Sequence, residues 1–292
     1  MISIRTNVDS LRAQQNLNIN SAAQSKTIQQ LTSGYRINSS GDDAAGLAIA
    51  NGYRNNTVEL NQGVANANDA VGQLQTIDGG LSNISTILDR MKTLATQSAS
   101  GTFTGNRNTL SAEFTQLSSE IDRQASNVGL NFGGTQNANL QVYIGGASTA
   151  TNAQVSVDLS NTTTTNSVDS SSLGVNANAA TNGTTTVAGT GAKLDITTAA
   201  GAQTAITAID NAVKQLGLTQ GAVGAGENKL QYATSLAQSQ ISNFSAAESQ
   251  IRDADVAAAA ANLSKSQVLQ QTSVAAMAQA NQESQSVLKL LQ

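Results

Sequence analysis

Two adjacent aspartates, Asp42 and Asp43, stand in the stretch SGYRINSSGDDAAGLAIA, and paired carboxylates can hold a metal ion or exchange protons. A metal site needs further oxygen ligands at fixed spacing, but the residues that follow are small and apolar. Acidic residues after a Ser/Gly turn instead indicate the start of a helix, where a carboxylate accepts hydrogen bonds from free amides. The same pattern recurs in RDADVAAAAANL, where Asp253 and Asp255 precede an alanine run. We therefore predict helix-cap roles for Asp42, Asp43 and Asp253.

The composition removes most other catalytic chemistry. The chain of 292 residues contains no His, Cys, Pro or Trp, which excludes imidazole and thiolate metal ligands and the Ser-His-Asp and Cys-His nucleophile pairs. The glycine-rich stretch GAVGAGENK at 221–229 has Glu227 at the position where a phosphate loop requires lysine. We therefore expect neither an enzyme nor a bound metal or cofactor.

Charge and hydropathy limit the kinds of partner. Only 12% of the residues are charged and the net charge is -4, so the chain has no long-range attraction for nucleic acid or for an anionic membrane. The most apolar stretch, VAAAAANL at 256–263, is far too short to span a bilayer, and the N-terminal residues lack the apolar run of a signal peptide. We expect protein partners, with no nucleic acid and no membrane.

Apolar residues recur every seven positions over 60–95, 110–128 and 216–251, the spacing of helices that pack along one another. As one helix, residues 43–98 would be roughly 80 Å long. An ordinary helix bundle would show the same rows, but their long shared register and the absence of proline favour an extended structure. We predict a mainly α fold, a long antiparallel coiled-coil helical rod made from N- and C-terminal arms. Its predicted core consists of Leu74, Ile77, Leu81, Ile84, Leu88, Met91, Leu117, Ile121, Leu230, Phe244 and Ile251.

The middle and the ends of the chain have other patterns. LQVYIGG, AQVSVDL and TTTVAGT are short, alternating and rich in β-branched residues, which predicts a small, exposed β-rich segment between the two helical arms. Residues 1–32 and 255–292 are amphipathic but hold few large apolar side chains. Because isolated helices of this kind are marginal in water, we expect each end to need the other, together with further copies of the chain.

The two ends of the chain resemble the bacterial flagellins. SGYRINSSGDDAAGLAIA matches the N-terminal signature of that family, and TNVDSLRAQQNL lies upstream of it as expected. SQIRDADVAAAAANLSKSQVLQQTSVAAMAQANQESQSVLKLLQ follows the C-terminal signature, although ESQS replaces a segment where proline is usual. The resemblance covers residues 1–135 and 200–292, and two signatures in the right order make it specific.

The resemblance implies a subunit that self-assembles into the helical flagellar filament outside the cell, after export in unfolded form through the flagellar type III channel. It implies an inner coiled coil of 1–42 with 253–292, a helical rod of 43–134 with 201–252, and a variable, surface-exposed segment at 135–200. Other copies of the chain, an export chaperone on the C-terminal helix, the filament cap and hook-associated proteins are the implied partners. The residues expected to assemble the filament core are Leu11, Leu17, Leu31, Leu263, Val268, Leu288 and Leu291.

Other functions fit the sequence less well. A hook–filament junction protein, which has similar terminal helices, is the main alternative, and the paired terminal signatures and short middle segment favour flagellin. An adhesin that binds carbohydrate would need aromatic platforms, but aromatic residues are only 3% of the chain. Some flagellins resemble metalloproteases in the variable segment, and the absence of His excludes that chemistry here.

In flagellins, a host toll-like receptor contacts the helix that corresponds to LDRMKTLATQ at 88–97. The resemblance implies that an arginine anchors this contact, because a guanidinium presents several fixed donors. Asp89 and Thr93 stand where the family usually has Gln and Glu, so we predict weakened recognition. The implied receptor contacts are Leu88, Arg90, Leu94 and Glu113.

Overall fold

The structure, a computed structural model, describes residues 7–131, 134–136, 139–146, 153–159, 168–175, 181–182, 185–186 and 194–290. Long helices make up most of it, and the mainly α fold with a small β segment is confirmed. The helices are α1 (Val8–Ser33), α2 (Ala44–Ala99), α3 (Arg107–Asn127), α4 (Ala199–Arg252) and α5 (Val256–Leu290). The strands are β1 (Asn139–Tyr143), β2 (Gln154–Asp158), β3 (Thr181–Asn182) and β4 (Thr185–Thr186).

The chain divides into two compact units, residues 1–57 with 242–292 and residues 58–241. Helices α2 and α4 each contribute to both units. The predicted domain limits, at 42/43 and 252/253, lie next to the breaks between helices at 34–43 and 253–255. The boundaries of the two compact units lie elsewhere, within α2 and α4. The three-domain division of the subunit in a filament stays a prediction.

In the unit 58–241, α2 and α4 run antiparallel. Lys92 Nζ lies 2.6 Å from Asp210 Oδ1, and nearer the start of α2, Leu74 lies beside Gly226 of α4. Later residues of α4 therefore contact earlier residues of α2, as expected for antiparallel helices. Burying one such leucine or isoleucine contributes about 1.5–3 kcal/mol. The buried residues of the predicted rod core are Leu74, Ile77, Leu81, Ile84, Leu88, Met91, Ile121 and Leu230.

Three residues of the predicted rod core are only half-buried. Helix α3 buries Phe114, Ser118, Ile121 and Ala125, a stripe that leaves Leu117 on its flank. Phe244 stacks on Tyr53 with ring centroids 5.6 Å apart, and the rest of its surface stays accessible, as does part of Ile251. The prediction that Leu117, Phe244 and Ile251 are core residues is therefore wrong. A seven-residue repeat shows which face of a helix packs, but it does not show how many neighbouring helices cover each residue on that face.

Strands β1 and β2 form an antiparallel hairpin in which Leu140 is opposite Val157 and Val142 is opposite Val155. The hairpin rests directly on the two long helices, because two helical glycines leave room for it. A Cβ atom added to Gly63 of α2 would overlap the carbonyl group of Ile144, and one added to Gly226 of α4 would overlap the side chain of Val157. These two glycines therefore fix the position of the hairpin.

Several described residues of the middle segment also pack into the core of this unit. Val168, Leu173, Val175 and Ile196 are buried. The Ser170 backbone N–H and hydroxyl donate to the carboxylate of Asp122 at 2.7 and 2.9 Å. The expectation of a wholly surface-exposed segment at 135–200 is therefore wrong for these residues, because short apolar stretches between polar runs carry no signal of where they pack.

We expect Gly63→Ala to destabilise the monomer by about 1–3 kcal/mol, because overpacking against rigid backbone costs this much. The matched control is Gly72→Ala on the same helix, where an added Cβ meets nothing within 4 Å. Replacing that exposed helical glycine is expected to stabilise by up to ~1 kcal/mol. Urea unfolding of the two variants measures both effects, and changes of the same sign would contradict the seating of the hairpin on Gly63.

Candidate functional site

The first unit, residues 1–57 with 242–292, contains a joint, which we define as residues 34–43 and 253–255. Helix α1 ends at Gly34, whose φ of 74° lies in the left-handed region that favours glycine, and the Gly34 N–H donates to the Gln30 carbonyl. On the other arm, α4 ends at Arg252 and α5 begins at Val256. Both arms therefore interrupt their helices inside the joint.

Asp42 and Asp43 have different roles at the start of α2. Asp43 Oδ1 accepts the N–H of Gly46 at 2.8 Å, which makes Asp43 the N-cap of the helix. Asp42 instead closes the loop before it, because its Oδ2 accepts the N–H groups of Asn38 and Ser39 at 3.2 and 3.1 Å. The prediction of a helix cap is therefore wrong for Asp42.

A lysine from α1 completes the environment of Asp42. Lys26 Nζ lies 2.8 Å from Asp42 Oδ1, and the hydrogen bonds from Lys26, Ser39 and Asn38 together lower the pKa of Asp42 from its ordinary 3.8 to about 2. The carboxylate thus ties the loop to α1. No local pattern predicts this contact, since Lys26 lies sixteen residues before Asp42.

The cap of α5 is Asp255 rather than Asp253. Asp255 Oδ1 accepts the N–H groups of Ala257 and Ala258 at 2.9 and 3.0 Å. Asp253 instead accepts the hydroxyl of Ser249 at 2.7 Å and forms an isolated antiparallel bridge with Tyr35. The predicted cap role of Asp253 is wrong because the helix begins later than the first acidic residue of the run suggests.

Backbone hydrogen bonds join the two arms across the joint. The Arg36 N–H donates to the Arg252 carbonyl at 2.6 Å, and the Ala254 N–H donates to the Gly34 carbonyl at 2.9 Å. The Arg36 side chain donates to the Ile251 carbonyl at 2.6 Å. The Arg252 guanidinium lies 4.1 Å from the centre of the Tyr35 ring, a cation–π contact. The stretch that raised the question of a metal site is therefore a structural clamp between the N- and C-terminal arms.

Beyond the joint, α1 and α5 pair antiparallel through small and polar residues. Asn7 Nδ2 donates to the Ala280 carbonyl at 3.0 Å, and Asn20 Nδ2 donates to the Ser273 hydroxyl at 3.2 Å. The buried side chains in the described parts of the two helices are Ala13, Thr27, Ala259 and Ser266. Such a seam removes little apolar surface from water, so it contributes little to stability.

Eight of the large aliphatic side chains of the same two helices lie outside the seam, whereas Leu17, Leu31 and Leu263 are half-buried in the pair. We define the outward aliphatic set as the residues of α1 and α5 with 40–60% of their surface exposed: Val8, Leu11, Ile19, Ile28, Val256, Val268, Leu269 and Val274. A helix pair with its small residues inside and its large apolar residues outside is built to pack against further helices.

The residues predicted to assemble a filament core fall into two groups. Leu11 and Val268 belong to the outward aliphatic set, whereas Leu17, Leu31 and Leu263 are half-buried in the pair itself. Leu288 lies in α5, in a part whose side chains are not described, and Leu291 lies outside the described residues.

The residues predicted to contact a host receptor also fall into two groups, one buried and one accessible. Leu88 and Leu94 are buried in the core, which contradicts their placement on an accessible face. Arg90 is exposed and Glu113 is half-buried, and the two form an ion pair between α2 and α3, with Nη2 and Oε1 2.6 Å apart. Thr93 turns its hydroxyl back to the Asp89 carbonyl at 3.0 Å. Of the predicted contacts, only the Arg90–Glu113 pair is accessible.

In the part of the chain that the structure describes, acidic side chains do not gather in threes where they could hold a metal ion. The helices in the same ranges are not both long and apolar enough to cross a membrane.

The fold and the outward aliphatic set are typical of a class: helical structural proteins with paired terminal helices that leave apolar side chains exposed. Comparisons with known proteins give the family. The model described as "Bacterial flagellin N-terminal helical region" matches residues 4–135, and that described as "Bacterial flagellin C-terminal helical region" matches residues 206–291.

Several individual proteins are similar to this chain. A flagellin of Listeria innocua is 35% identical over 99% of this chain and 99% of its own length. The flagellar filament 30.7 kDa core protein of Treponema maltophilum is 34% identical over 99% of each chain. The crystal structure of Bacillus cereus flagellin is 26% identical and covers 59% of this chain and 88% of that chain, with a TM-score of 0.44. The chain belongs to the bacterial flagellin family and is a structural subunit of the flagellar filament.

The lowered pKa of Asp42 predicts how the joint responds to acid. Because the pKa of Asp42 is lower in the folded state than in the unfolded state, its carboxylate stabilises the folded joint at pH values above about 4. This stabilisation is lost as the pH falls from about 4 to about 2. We expect filaments of Asp42→Asn to melt at a lower temperature than wild type near pH ~6, with the difference shrinking towards pH ~2.

The matched control is Asp69→Asn, a surface change on α2, which is expected to leave melting unchanged at both pH values. Thermal melting followed by circular dichroism and light scattering measures the difference. A difference between wild type and Asp42→Asn that stays constant down to the lowest pH would contradict the role of Asp42.

Proposed function

We propose that the outward aliphatic set of α1 and α5 forms the contacts between subunits in the core of the filament. The observation that carries this proposal is the distribution of side chains: alanine, serine and threonine occupy the fully buried positions of the seam, while the eight residues of the outward aliphatic set stay 40–60% exposed. Because each such side chain is 40–60% exposed in the single chain, burying the remainder contributes about half of the ~1.5–3 kcal/mol that full burial gives. This gain is large enough to drive assembly, and it is absent in a single chain.

The same distribution supports export in unfolded form through the flagellar type III channel. A terminal helix pair with a weak seam is easily opened, and a chain without Cys or Pro has neither disulfides to form nor slow prolyl isomerisation after passage. The exposed residues Val256, Val268, Leu269 and Val274 give an export chaperone apolar side chains to contact along α5. The filament cap and hook-associated proteins are the remaining proposed partners, and the assembled subunit lies outside the cell.

The chain acts through assembly and not through catalysis. The joint, which holds the most closely spaced acidic residues, uses Asp42, Asp43 and Asp255 as acceptors for backbone amides. The accessible Arg90–Glu113 pair is the proposed site for a host receptor, since a guanidinium held by one carboxylate still presents free donors.

The assembly proposal predicts that side chains outside the seam matter most. The double variant Leu11→Ala with Val268→Ala is expected to raise the critical concentration for polymerisation at least ~10-fold, since each lost burial costs about half of the ~1.5–3 kcal/mol of full burial. Its monomer is expected to unfold at the wild-type urea midpoint, because both side chains are more than half exposed in the single chain, at 55% and 58%.

Ser25→Ala is the matched control, because Ser25 is exposed on α1 and its hydroxyl donates only to the Ser21 carbonyl of its own helix. Sedimentation of polymer after seeding, across a series of subunit concentrations, measures the critical concentration. Equal critical concentrations for the double variant and the control would refute the proposed filament contacts.

A further inference from the structure

Helices α1 and α5 face each other along a seven-residue repeat. Over residues 10–31 of α1 and 259–280 of α5, buried or half-buried side chains recur at alternating spacings of three and four. This is the spacing of a coiled-coil seam. The middle of the seam is polar, because Asn20 and Gln24 of α1 and Gln270 and Ser273 of α5 stand at consecutive seam positions there.

A repeat of this kind leaves the register of the two helices open. A slip by one heptad, about 10 Å along the axis, again brings seam positions opposite seam positions. Large apolar side chains normally oppose such a slip, because they then meet the wrong holes. In the described part of this seam the larger apolar residues are few and only half-buried: Leu17, Leu31, Leu263 and Met277. The polar seam residues are therefore the other feature that can distinguish one register from the next.

Asn20 opposes a slip in one direction. Its Nδ2 donates to Ser273 Oγ at 3.2 Å. The Ser273 hydroxyl donates its own proton to the Leu269 carbonyl at 2.7 Å, so its oxygen is left as an acceptor for Asn20. A slip that carries Ala280 to the place of Ser273 would leave the Asn20 amide in the seam without this acceptor, and an unpaired polar group in a seam is unfavourable.

Asn7 opposes the slip in the other direction. Its Nδ2 donates to the Ala280 carbonyl at 3.0 Å and to Asn281 Oδ1 at 3.5 Å. That slip gives Asn20 a similar partner, Ser266, but it carries Val274 to the place of Asn281. Asn7 then faces an apolar side chain where it had an acceptor. The two asparagines together therefore favour the register that the structure has.

We propose that Asn20, assisted by Asn7, sets the register in which α1 and α5 pair in the assembled subunit. This inference rests on the proposed self-assembly and deepens it, because the outward aliphatic set is aligned along the two helices in one register alone. A slip of one heptad would move its α1 members about 10 Å relative to its α5 members. A single polar residue in a coiled-coil seam can specify register in this way, at a cost in stability.

Asn20→Leu is therefore expected to move stability and assembly in opposite directions. Leucine removes the amide from the seam, so the helix content of the monomer is expected to rise, and to rise more than in Asn18→Leu, the same change at an exposed position of α1. The critical concentration for polymerisation is expected to rise at least ~2-fold, because chains in a slipped register are not competent to add to the filament. Circular dichroism and sedimentation measure the two effects.

Cysteine pairs report the register directly, because the chain has no cysteine of its own. The Asn7 side chain accepts the Ser10 N–H and donates to the Ala280 carbonyl, each at 3.0 Å, so Ser10 and Ala280 lie close together. Ser10→Cys with Ala280→Cys therefore reports the register of the structure. Leu17→Cys with Ala280→Cys reports the slip that Asn20 opposes, since Leu17 lies one heptad further along α1, about 10 Å away and beyond the reach of a disulfide.

Each cysteine pair is introduced with Asn20 present and with Asn20→Leu. The chains are copolymerised under reducing conditions with an excess of wild-type protein, and a mild oxidant is then added. The excess carries weakly assembling variants into the filament and, being free of cysteine, keeps the thiols of different chains apart. With Asn20 present, only the pair at 10 and 280 is expected to form a disulfide. With Asn20→Leu, the disulfide between 17 and 280 is expected to increase at least ~10-fold, because the slip no longer leaves an amide unpaired.

An exchange of the two partners isolates the hydrogen bond from other effects of residue 20. Asn20→Ser with Ser273→Asn restores a contact between an amide and a hydroxyl in the register of the structure, whereas the slip brings the new hydroxyl opposite Ala280. The disulfide between 17 and 280 is therefore expected to stay at the level seen with Asn20.

A slipped disulfide that increases in Asn20→Leu and returns to the low level in the exchanged variant supports the inference. A slipped disulfide that stays low in Asn20→Leu, or that is as high in the exchanged variant, would overturn it. A fall in both helix content and polymerisation in Asn20→Leu would also overturn it, because a residue that only holds the helices together gives that result. Failure of wild-type protein to polymerise would count instead against the proposed self-assembly. The disulfide measurement does not depend on which side chains form the filament contacts, so the two proposals fail separately.

Discussion

The seam between α1 and α5 constrains the rest of the molecule, because it is too poor in apolar surface to hold the two helices together alone. Ala13, Thr27, Ala259 and Ser266 occupy its fully buried positions, while the outward aliphatic set stays 40–60% exposed. Alanine at such positions lets helices approach closely but removes only a small area from water. The stability of the pair therefore depends on what covers the outward aliphatic set, and we propose that other subunits supply this cover in the filament.

The unit 58–241 has the opposite distribution. Leucine, isoleucine and methionine fill the interface of α2 with its neighbours, and the hairpin is held against the helices at Gly63 and Gly226. This unit therefore has a hydrophobic core of its own, which is what a domain needs to fold independently. From this contrast we infer different tasks for the two units: the unit 58–241 supplies a stable body, and the terminal helix pair supplies an apolar surface that we propose becomes buried on assembly.

The long helices and their buried rows could be predicted from the sequence, because a seven-residue period over many turns leaves few alternatives. Predictions failed where contacts between distant residues decide the outcome. The role of Asp42 depends on Lys26 and on a loop geometry that no local pattern encodes. Leu88 fits both a buried row and a recognition motif, and only the packing of the unit shows that it is buried. Leu11 is exposed and Leu17 is half-buried because only one face of α1 packs on α5. The weak amphipathic pattern of α1 does not show which face that is.

Hydrogen–deuterium exchange on monomer and filament, read at peptide resolution, tests the dependence of the terminal helix pair on assembly most directly. We expect peptides from α1 and α5 to exchange nearly as fast as unfolded chain in the monomer and to become strongly protected in the filament. Peptides from the buried rows of α2 and α4 within 58–241 are expected to be protected in both states. Strong protection of α1 and α5 in the monomer would show that the seam holds the pair unaided, and would contradict that dependence.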